Sequence, residues 1–294
     1  MAMLAQRKPE WLKVRIPQGE QWKAMSRLIH GHGLHTVCDE AACPNKAECW
    51  GCGTATFMVL GDVCTRNCRF CAVASGKTGT EIDTGEPQRL AEAIKELKLK
   101  YAVITSVDRD DLPDCGAGHF AACIKAIKNT TAEVLVEVLI PDYRGANLAV
   151  VMAARPDVIA HNIETVPSMQ NIRDARAGFE QSLQTLHEAK AAGFITKSSL
   201  LLGLGESEAE IIVAMDALRR VGCDILVMGQ YLQPSARQLP VVEYITPAQF
   251  AHLADLALQR GFSSVVSAPL ARTSYHASEG YRKLGPASPT AAEG

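Results

Sequence analysis

Three cysteines lie close together in the first quarter of the chain, just after an apolar run at residues 56–60 that is typical of a β-strand. They are Cys64, Cys68 and Cys71, spaced C-x3-C-x2-C. Three thiolates on a short loop can bind one face of a four-iron cluster, which normally takes four thiolates, so one iron would stay open to another ligand. A zinc site is the alternative, although zinc loops usually supply four ligands from paired cysteines.

A second set of three cysteines precedes the first. These are Cys38, Cys43 and Cys49, spaced C-x4-C-x5-C, and again one ligand is missing for a four-iron cluster. Cys52 follows closely and could compete as a ligand. Two such sets so near each other predict two metal centres. Three nearby histidines have no fixed spacing to these cysteines and are interpreted as ordinary surface or packing residues: His30, His32 and His35.

The composition limits what the protein can be. The 294 residues include 30 Lys and Arg against 32 Asp and Glu, and 47% are hydrophobic. This balance argues against a nucleic-acid-binding surface spread over the whole protein, and the longest apolar runs are too short to span a bilayer. Ten cysteines without a secretory signal indicate metal or redox chemistry in a reducing compartment. We therefore expect a cytoplasmic protein with neither nucleic acid nor membrane as a partner.

Strand-like and helix-like segments alternate from residue 54 onward. Such alternation predicts repeated βαβ units around a parallel sheet. Six or seven units favour an α/β fold built as a partial (β/α)6 TIM-type barrel, with its active site at the carboxyl ends of the strands. The loop of Cys64 follows the first strand, where this rule places a site. The predicted strands are residues 56–60, 101–106, 134–140, 158–160, 198–202, 225–228 and 263–267.

Local signals mark the helices between these strands. Phe120, Cys123 and Ile127 recur at helical spacing, which predicts that they share a core-facing side. Ser207 and Thr246 each precede Glu or Gln by three residues, which predicts a capping box at the start of two helices. Three cysteines outside the two sets are interpreted as structural: Cys115, Cys123 and Cys223.

Three regions are expected along the chain. An N-terminal extension, residues 1–53, carries the upstream cysteines and so many Pro and Gly residues that an irregular arm is predicted. Trp11 and Trp22 are candidates to anchor this arm, although ordinary burial of aromatic side chains is the simpler interpretation. The barrel is assigned to residues 54–262, and residues 263–294 form a C-terminal extension that ends in a disordered tail.

The loop of Cys64 resembles the cluster motif of radical S-adenosylmethionine enzymes, in which the amino and carboxylate groups of S-adenosylmethionine chelate the open iron. The surrounding segments are similar to those of lipoyl synthases, and few other radical enzymes carry a C-x4-C-x5-C segment upstream of such a loop. The resemblance extends from about residue 8 to residue 281. The similar segments are VCDEAACPNKAECW at 37–50, TATFMVLGDVCTRNCRFCAV at 54–73, VITSVDRDDLP at 103–113, HNIETV at 161–166, SLLLGLGE at 199–206, GQYLQP at 229–234 and RTSYHA at 272–277.

This resemblance implies the insertion of two sulfur atoms, at C6 and C8 of an octanoyl chain on a lysine of a lipoyl carrier domain or H protein. It implies two 4Fe-4S clusters, the first generating a radical from S-adenosylmethionine and the auxiliary one donating sulfur. It also implies ferredoxin or flavodoxin as the reductant and an iron–sulfur carrier for cluster repair. The implied catalytic and metal-binding residues are Cys64, Cys68 and Cys71 for the first cluster, and Cys38, Cys43, Cys49 and Ser274 for the auxiliary cluster.

Residues after other strands are further candidates. Asn162 and Glu164 follow the predicted strand at 158–160, where an amide and a carboxylate can hold the ribose hydroxyls or the amino group of S-adenosylmethionine. Capping of the following turn is an equal alternative. Residues 108–111, Asp-Arg-Asp-Asp, form either a solvated turn or part of the site. The glycines in 203–206 lack a GxGxxG pattern and are expected to let backbone approach the cofactor.

Four positions depart from the family's pattern. Cys115 stands where a glycine is usual, Gln238 where a histidine is common, and Ala268 replaces the glycine before the terminal motif. Thr273 replaces the first serine of that motif, which leaves Ser274 as the cleaner candidate ligand. A serine alkoxide is a harder ligand than a thiolate and is less well matched to iron. The bond between Ser274 and its iron would therefore be the one that breaks most readily when an iron is released.

Two alternatives differ in their chemistry. The first is another two-cluster radical enzyme, such as a different sulfur inserter or a methylthiotransferase. A methylthiotransferase would be expected to carry extra RNA-binding or protein-binding domains, and none is visible in the sequence. An electron-transfer or zinc-binding protein with the same cysteines would leave S-adenosylmethionine uncleaved. Bleaching by dithionite without cleavage favours electron transfer, and a colourless protein that retains zinc favours a zinc site.

Overall fold

A parallel β-sheet carries the cysteine loop, and helices alternate with its strands along the chain. The computed structural model describes residues 7–13, 20–41, 43, 45–51, 55–275, 277–282 and 284. The competing thiol Cys52 and the tail from residue 285 onward, which was expected to be disordered, lie outside these residues.

The secondary structure falls into an N-terminal arm, a barrel and a short C-terminal helix. The arm contains α1 (Glu20–Gly31), β1 (His35–Thr36), α2 (Val37–Glu40) and α3 (Lys46–Gly51). The elements that follow are β2 (Thr56–Val59), β3 (Val63–Cys64), β4 (Ala74–Ser75), α4 (Glu86–Glu96), β5 (Tyr101–Ser106), α5 (Ala117–Thr130), β6 (Leu135–Leu139), α6 (Gly145–Ala153), β7 (Val158–Ala160), α7 (Phe179–Ala191), β8 (Ile195–Leu202), α8 (Glu208–Arg220), β9 (Ile225–Gln230), α9 (Pro247–Gln259), β10 (Ser264–Ser267) and α10 (Ala277–Arg282).

The main sheet is almost entirely parallel. Within the described residues its eight strands follow the order β1-β2-β5-β6-β7-β8-β9-β10, and β1 alone is antiparallel to its neighbour. Parallel neighbours require crossover connections, and helices α4 to α9 provide them. All seven predicted strands are confirmed, and the architecture is the predicted partial barrel. Its first and last parallel strands are β2 and β10, and β1 of the arm covers the outer edge of β2.

The helices pack on the sheet through the faces that the sequence predicts. Phe120, Cys123 and Ile127 of α5 are fully buried, so they are confirmed as core residues on one side of the helix. The capping boxes at Ser207 and Thr246 are both present, each with a side-chain oxygen accepting the N–H of the residue three positions on. These local signals therefore fix where α8 and α9 begin.

The prediction of an irregular arm is wrong for α1. Pro and Gly residues flank this 12-residue helix, but residues 20–30 contain none, so nothing in that stretch interrupts a helix. Met25 and Ile29, four residues apart, are buried on one face. Trp22 packs against Trp50 with ring centroids 6.1 Å apart, whereas Trp11 is 41% exposed and is neither an anchor nor a buried aromatic.

Cys115 holds a backbone conformation that favours glycine. Its φ is +52°, in the left-handed region, where a residue with a Cβ is disfavoured by roughly 1 kcal/mol. The family's glycine at this position therefore has a physical reason, and the departure in this chain introduces local strain. The backbone of Cys115 is nevertheless used, because its carbonyl accepts the Tyr143 hydroxyl at 3.1 Å.

We predict that Cys115→Gly unfolds at a higher temperature than Cys115→Ala, by about 2 °C, because both variants lack the sulfur and differ mainly in backbone strain. Thermal unfolding of the anaerobic protein measures the difference. The same pair of substitutions at Cys123, inside α5, is the matched control, and there alanine should be the more stable residue. Equal stability of the two variants at position 115 would contradict this account of the strain.

Candidate active site between the two cysteine sets

The downstream cysteine loop leaves the carboxyl end of β2 and folds back on itself. Leu60 and Gly61 have φ values of +70° and +88°, which turn the chain sharply out of the strand. The short strands β3 and β4 then pair in parallel, with Cys64 opposite Ser75. The loop that carries the three cysteines is therefore closed at its base.

One guanidinium anchors this loop. Arg66 lies between the first two cysteines and is only 9% exposed. Its Nη2 donates to Asp110 Oδ1 at 3.0 Å, its Nε lies 3.3 Å from Asp108 Oδ1, and its Nη1 donates to Asp142. Burial acts to lower the pKa of this guanidinium, but the hydrogen bond to Asp110 and the charges of Asp108 and Asp142 raise it overall. The loop is thus tied to residues that follow β5 and β6.

Asp142 is the buried centre of the same network. Its Oδ1 lies 3.1 Å from His161 Nε2 and 3.6 Å from Arg173 Nη2. Burial acts to raise the pKa of Asp142, but the adjacent His161 and the charges of Arg66 and Arg173 hold it well below its usual range. His161 Nδ1 lies 3.0 Å from the Ile140 carbonyl, which can only accept, so Nδ1 carries a proton. The network therefore continues to the residue after β7.

Backbone N–H groups donate hydrogen bonds to two of the loop sulfurs. Arg66 N–H donates to Cys64 Sγ at 3.4 Å, and Asp174 N–H donates to Cys68 Sγ at 3.3 Å. Burial raises the pKa of Cys64 to about 11 and that of Cys68 to about 12. The thiols therefore stay protonated until a metal displaces the protons, and the amides then stabilise the thiolates. Such an environment fits residues that hold a cluster.

The spacing of the sulfurs argues against a single zinc ion. Tetrahedral zinc with Zn–S bonds of about 2.3 Å brings its sulfurs to about 3.8 Å from one another. In the part of the chain that the structure describes, the one group of three possible ligands with donor atoms within 4.8 Å of one another is Glu86, His119 and Cys123. In neither cysteine set do all three sulfurs lie within 4.8 Å of one another, a spacing that suits ligands of separate irons.

The group of Glu86, His119 and Cys123 supports the loop by hydrogen bonding. Glu86 Oε2 lies 2.7 Å from His119 Nε2 and accepts the Leu60 N–H at 3.0 Å. This carboxylate thus satisfies the backbone at the sharp turn after β2. Cys123 belongs to the apolar core beside it.

The upstream cysteines and the predicted serine come together although they lie at opposite ends of the chain. Cys38 lies in α2, and Cys49 lies in α3. A Thr36 hydroxyl caps the start of α2 by accepting the Asp39 N–H at 3.2 Å. One small cavity is bordered by all four residues that the resemblance assigns to the auxiliary cluster: Cys38, Cys43, Cys49 and Ser274.

Hydrogen bonds join the arm to the C-terminal segment around this small cavity. Asn45 Nδ2 donates to the Leu270 carbonyl at 2.6 Å, and the Tyr275 hydroxyl donates to Glu48 Oε1 at 3.0 Å. These bonds hold Ser274 against the upstream cysteines.

The three histidines of the arm each lie beside a carboxylate, as expected of ordinary surface residues. His30 lies 3.7 Å from Asp39, His32 lies 3.5 Å from Glu96, and His35 lies 3.3 Å from Glu40.

A cavity of about 440 Å³ lies between the two cysteine sets. Cys71 borders it on the side of the loop, and Cys38, Cys43 and Ser274 border it on the side of the arm. A second cavity of about 280 Å³ adjoins it beneath the loop, where Cys64 and Cys68 are exposed to it. The two cavities share three residues that carry polar or reactive groups: Cys71, Asn162 and Glu164.

Asn162 and Glu164 both face these cavities at the end of β7. The Asn162 amide donates to Thr273 Oγ1 at 3.1 Å, so it holds the C-terminal segment rather than capping the next turn. Glu164 has a φ of +64°, an unusual conformation for a residue other than glycine. Strain of this kind often accompanies a functional position. Burial raises the pKa of Glu164, with Arg173 acting in the opposite direction.

Of the other two candidate segments, residues 108–111 contribute to the site and residues 203–206 do not. Asp108 borders the cavity beneath the loop, whereas Asp111 is engaged by Arg109 at 2.9 Å on the far side of the turn. Residues 203–206 border neither of the two large cavities. A Cβ at Gly203 would meet the Glu243 carbonyl at 2.3 Å, so this glycine permits an approach by the protein's own backbone and not by a cofactor.

The sequence reasoning did not identify Arg66, Asp142, His161 or Arg173 as site residues. Asp142 and His161 each follow a strand at its carboxyl end, so the rule that located Asn162 would have found them. Gln238 was noted only as a departure from the family's pattern, and its Nε2 donates to the Cys71 carbonyl at 3.1 Å. This bond ties the segment after β9 to the cysteine loop.

The described helices include none that is long and apolar enough to cross a membrane.

Two family models match the chain. The Radical SAM superfamily matches residues 58–218, and the N-terminal domain of lipoyl synthase of the Radical SAM family matches residues 3–43. The lipoyl synthase of Methanocella arvoryzae is 52% identical over 279 residues, which cover 93% of this chain and 94% of that protein. The lipoyl synthase of Bacteroides thetaiotaomicron is 48% identical over 278 residues, which cover 94% of this chain and 98% of that protein.

Solved structures share the fold at low sequence identity. Methylornithine synthase superposes with a TM-score of 0.56 at 13% identity, covering 72% of this chain and 71% of that one. The FeFe-hydrogenase maturase of Carboxydothermus hydrogenoformans superposes with a TM-score of 0.57 at 17% identity, covering 79% of this chain and 57% of that one. At these identities the likeness concerns the fold alone.

We predict that Arg66→Met loses the iron held by the downstream loop, about four irons per chain. The substitution leaves three carboxylates without their shared cation, and breaking a buried ion pair costs about 3 kcal/mol. Iron analysis and thermal unfolding after anaerobic purification measure the effect. Arg260→Met is the control, because Arg260 pairs with the exposed Asp216 at 2.9 Å and should leave both quantities unchanged. Full iron content in Arg66→Met would refute the anchoring role.

Proposed function

The chain belongs to the lipoyl synthase family of the radical S-adenosylmethionine superfamily, and we propose that its two cysteine sets divide the reaction between them. It is a sulfur-inserting enzyme that uses S-adenosylmethionine and two 4Fe-4S clusters, and its substrate is an octanoyl chain on a lipoyl carrier domain. When bound, one cluster supplies the electron that cleaves S-adenosylmethionine and the other supplies sulfur. The proposed ligands are Cys64, Cys68 and Cys71 for the first, and Cys38, Cys43, Cys49 and Ser274 for the second.

The observation that carries this division is a cavity that cysteines of both sets border. Its volume of about 440 Å³ lies in the range of ligand pockets. Because Cys71 borders one side and Cys43 the other, an octanoyl chain entering it would lie between the radical source and the sulfur source. Positioning of this kind is what selects one carbon over its neighbours.

The walls of the cavity suit a radical reaction. Apolar side chains from the central strands line it, including Val103 of β5, Leu139 of β6 and Val227 of β9. Such walls accept an alkyl chain and exclude water, so a primary carbon radical meets its target before it meets solvent. The strands that carry these residues are rigid, which keeps the target at a fixed distance from the loop.

The polar groups at the end of β7 would hold S-adenosylmethionine. Asn162 and Glu164 border both cavities, next to Cys71, whose cluster would leave one iron open. The Glu164 carboxylate can accept hydrogen bonds from the amino group or the ribose hydroxyls of S-adenosylmethionine. A bound ammonium group would favour the ionised form of this carboxylate.

The C-terminal segment would complete the sulfur-donating cluster. Thr273 Oγ1 lies 3.1 Å from both Asn162 Nδ2 and Ser199 Oγ, so that hydroxyl is already engaged with the barrel. Ser274 borders the small cavity with the three upstream cysteines. Ser274 is therefore better placed than Thr273 to supply the fourth ligand, through an oxygen that binds iron less well than a thiolate does.

Further components follow from the chemistry of the reaction. Each cleavage of S-adenosylmethionine consumes an electron, so a ferredoxin or flavodoxin is proposed as the reductant, and an iron–sulfur carrier as the source of a new cluster. A lipoyl carrier domain or H protein would present the octanoyl chain, in the cytoplasm. Residues 1–53 would act as the extension that carries the auxiliary cluster, 54–262 as the radical barrel, and 263–294 as the extension with the serine ligand.

We predict opposite phenotypes for one cysteine of each set. Cys68→Ala should abolish the formation of 5′-deoxyadenosine, because the radical cluster loses a ligand. Cys43→Ala should still permit that cleavage while ending sulfur insertion, because only the auxiliary cluster is affected. Chromatography of 5′-deoxyadenosine and mass spectrometry of an octanoylated carrier peptide measure the two steps.

The control for both variants is Cys223→Ala, since Cys223 is fully buried away from both cavities. It should retain both cleavage and sulfur insertion. Cleavage that survives in Cys68→Ala, or lipoylation that survives in Cys43→Ala, would show that the roles are assigned to the wrong cysteines.

A further inference from the structure

A positively charged side chain lies between the large cavity and the small one, and no carboxylate among the described residues forms a salt bridge with it. Arg272 borders both the large cavity and the small cavity of the upstream cysteines. Its Nη1 donates to the neighbouring Ala271 carbonyl at 2.7 Å. Cys38, Cys43 and Ser274 border both of these cavities as well.

The contrast with Arg66 is informative. Arg66 is buried against three carboxylates that offset its charge. Arg272 is half-buried, and it borders the small cavity together with the upstream cysteines instead of a group of carboxylates. A guanidinium remains charged in proteins, and an enclosed charge is costly unless an opposite charge accompanies it. A negatively charged group bound in the small cavity, which Arg272 and Cys43 both border, would supply that opposite charge.

The neighbouring strand is shaped to accept this side chain. A Cβ at Gly229 of β9 would lie 2.0 Å from the Ala271 carbonyl oxygen and 3.2 Å from Arg272 Nη1. A Cβ at that distance would overlap the backbone of Ala271, so any larger residue at position 229 would displace the segment that contains Ala271 and Arg272. Gly229 thus permits the close approach that places Arg272 at the small cavity.

We propose that Arg272 is the positioning cation of the auxiliary cluster, which its guanidinium holds in place and makes easier to reduce. The inference rests on the proposed function, because it takes Cys38, Cys43, Cys49 and Ser274 as the ligands. Four anionic ligands give a four-iron cluster a net negative charge, and net charge and hydrogen bonds to the sulfurs set its reduction potential. Arg272 can supply both a compensating charge and N–H donors.

The test uses the full-length chain with Cys64, Cys68 and Cys71 all replaced by alanine, so that only the auxiliary cluster remains. Arg272→Gln removes the charge but keeps a donor for the Ala271 carbonyl, Arg272→Met removes both, and Arg272→Lys keeps the charge. A redox titration followed by electron paramagnetic resonance gives the potential. We expect the Gln and Met variants to be reduced at least tenfold less favourably, a shift of 59 mV to more negative potential for one electron, and Lys to restore most of it.

The control replaces Cys38, Cys43 and Cys49 instead, so that only the radical cluster remains. There Arg272→Gln should shift the potential by less than half as much, because Arg272 borders the small cavity of the upstream cysteines, which no cysteine of the loop borders. Equal shifts in the two clusters, or an unchanged auxiliary potential, would overturn the inference.

Iron content separates this inference from the proposed function. If the chain without Cys64, Cys68 and Cys71 binds no iron, the proposed auxiliary site itself is wrong. If Gln and Met at position 272 lose that iron while Lys keeps it, the charge is needed to hold the cluster and the inference stands. Loss in all three variants would mean that the role of Arg272 lies in packing, which contradicts it.

Discussion

The site depends on one buried guanidinium. Arg66 lies inside the cysteine loop, and its charge offsets the carboxylates of Asp108, Asp110 and Asp142, which follow two neighbouring strands. A loop of this length, rich in polar backbone, has little apolar surface of its own to bury. Its position therefore comes from charge pairing in an enclosed site, where an unpaired partner on either side would be costly. The same network reaches His161 at the end of β7, so the loop, the cavity floor and the strand ends form one connected unit.

A second constraint closes the site from the other side. The arm and the C-terminal segment are separated by more than two hundred residues, yet Asn45 is bonded to the Leu270 carbonyl and Glu48 to Tyr275. Thr273 in turn is bonded to Asn162 and Ser199 of the barrel. Ser274 and Arg272 lie within this joined segment, so the small cavity exists only when both ends of the chain are folded against the sheet. Cluster binding at this cavity would therefore stabilise the contact between them.

Much of the fold could be predicted from the sequence wherever the sequence signal is local. The seven strands followed from apolar runs between turn residues, and the starts of α8 and α9 followed from capping boxes, because these patterns act within a few residues. The helix α1 was missed because the glycines and prolines around it were read as belonging to it. The Arg66 network was not predicted because its partners lie 44 and 76 residues away in sequence. The strand-end rule places Asp142 at this edge of the sheet, but no spacing in the sequence shows that Arg66 pairs with it.

The central claim is that the two cysteine sets serve one cavity, with the upstream set supplying the sulfur. Protein whose clusters are assembled with ³⁴S sulfide, and then freed of excess sulfide, tests it directly. After reaction with S-adenosylmethionine and an octanoylated carrier peptide in unlabelled medium, mass spectrometry should find two ³⁴S atoms in each lipoyl product. Unlabelled sulfur in the product, or an unchanged octanoyl peptide alongside cleaved S-adenosylmethionine, would contradict the account.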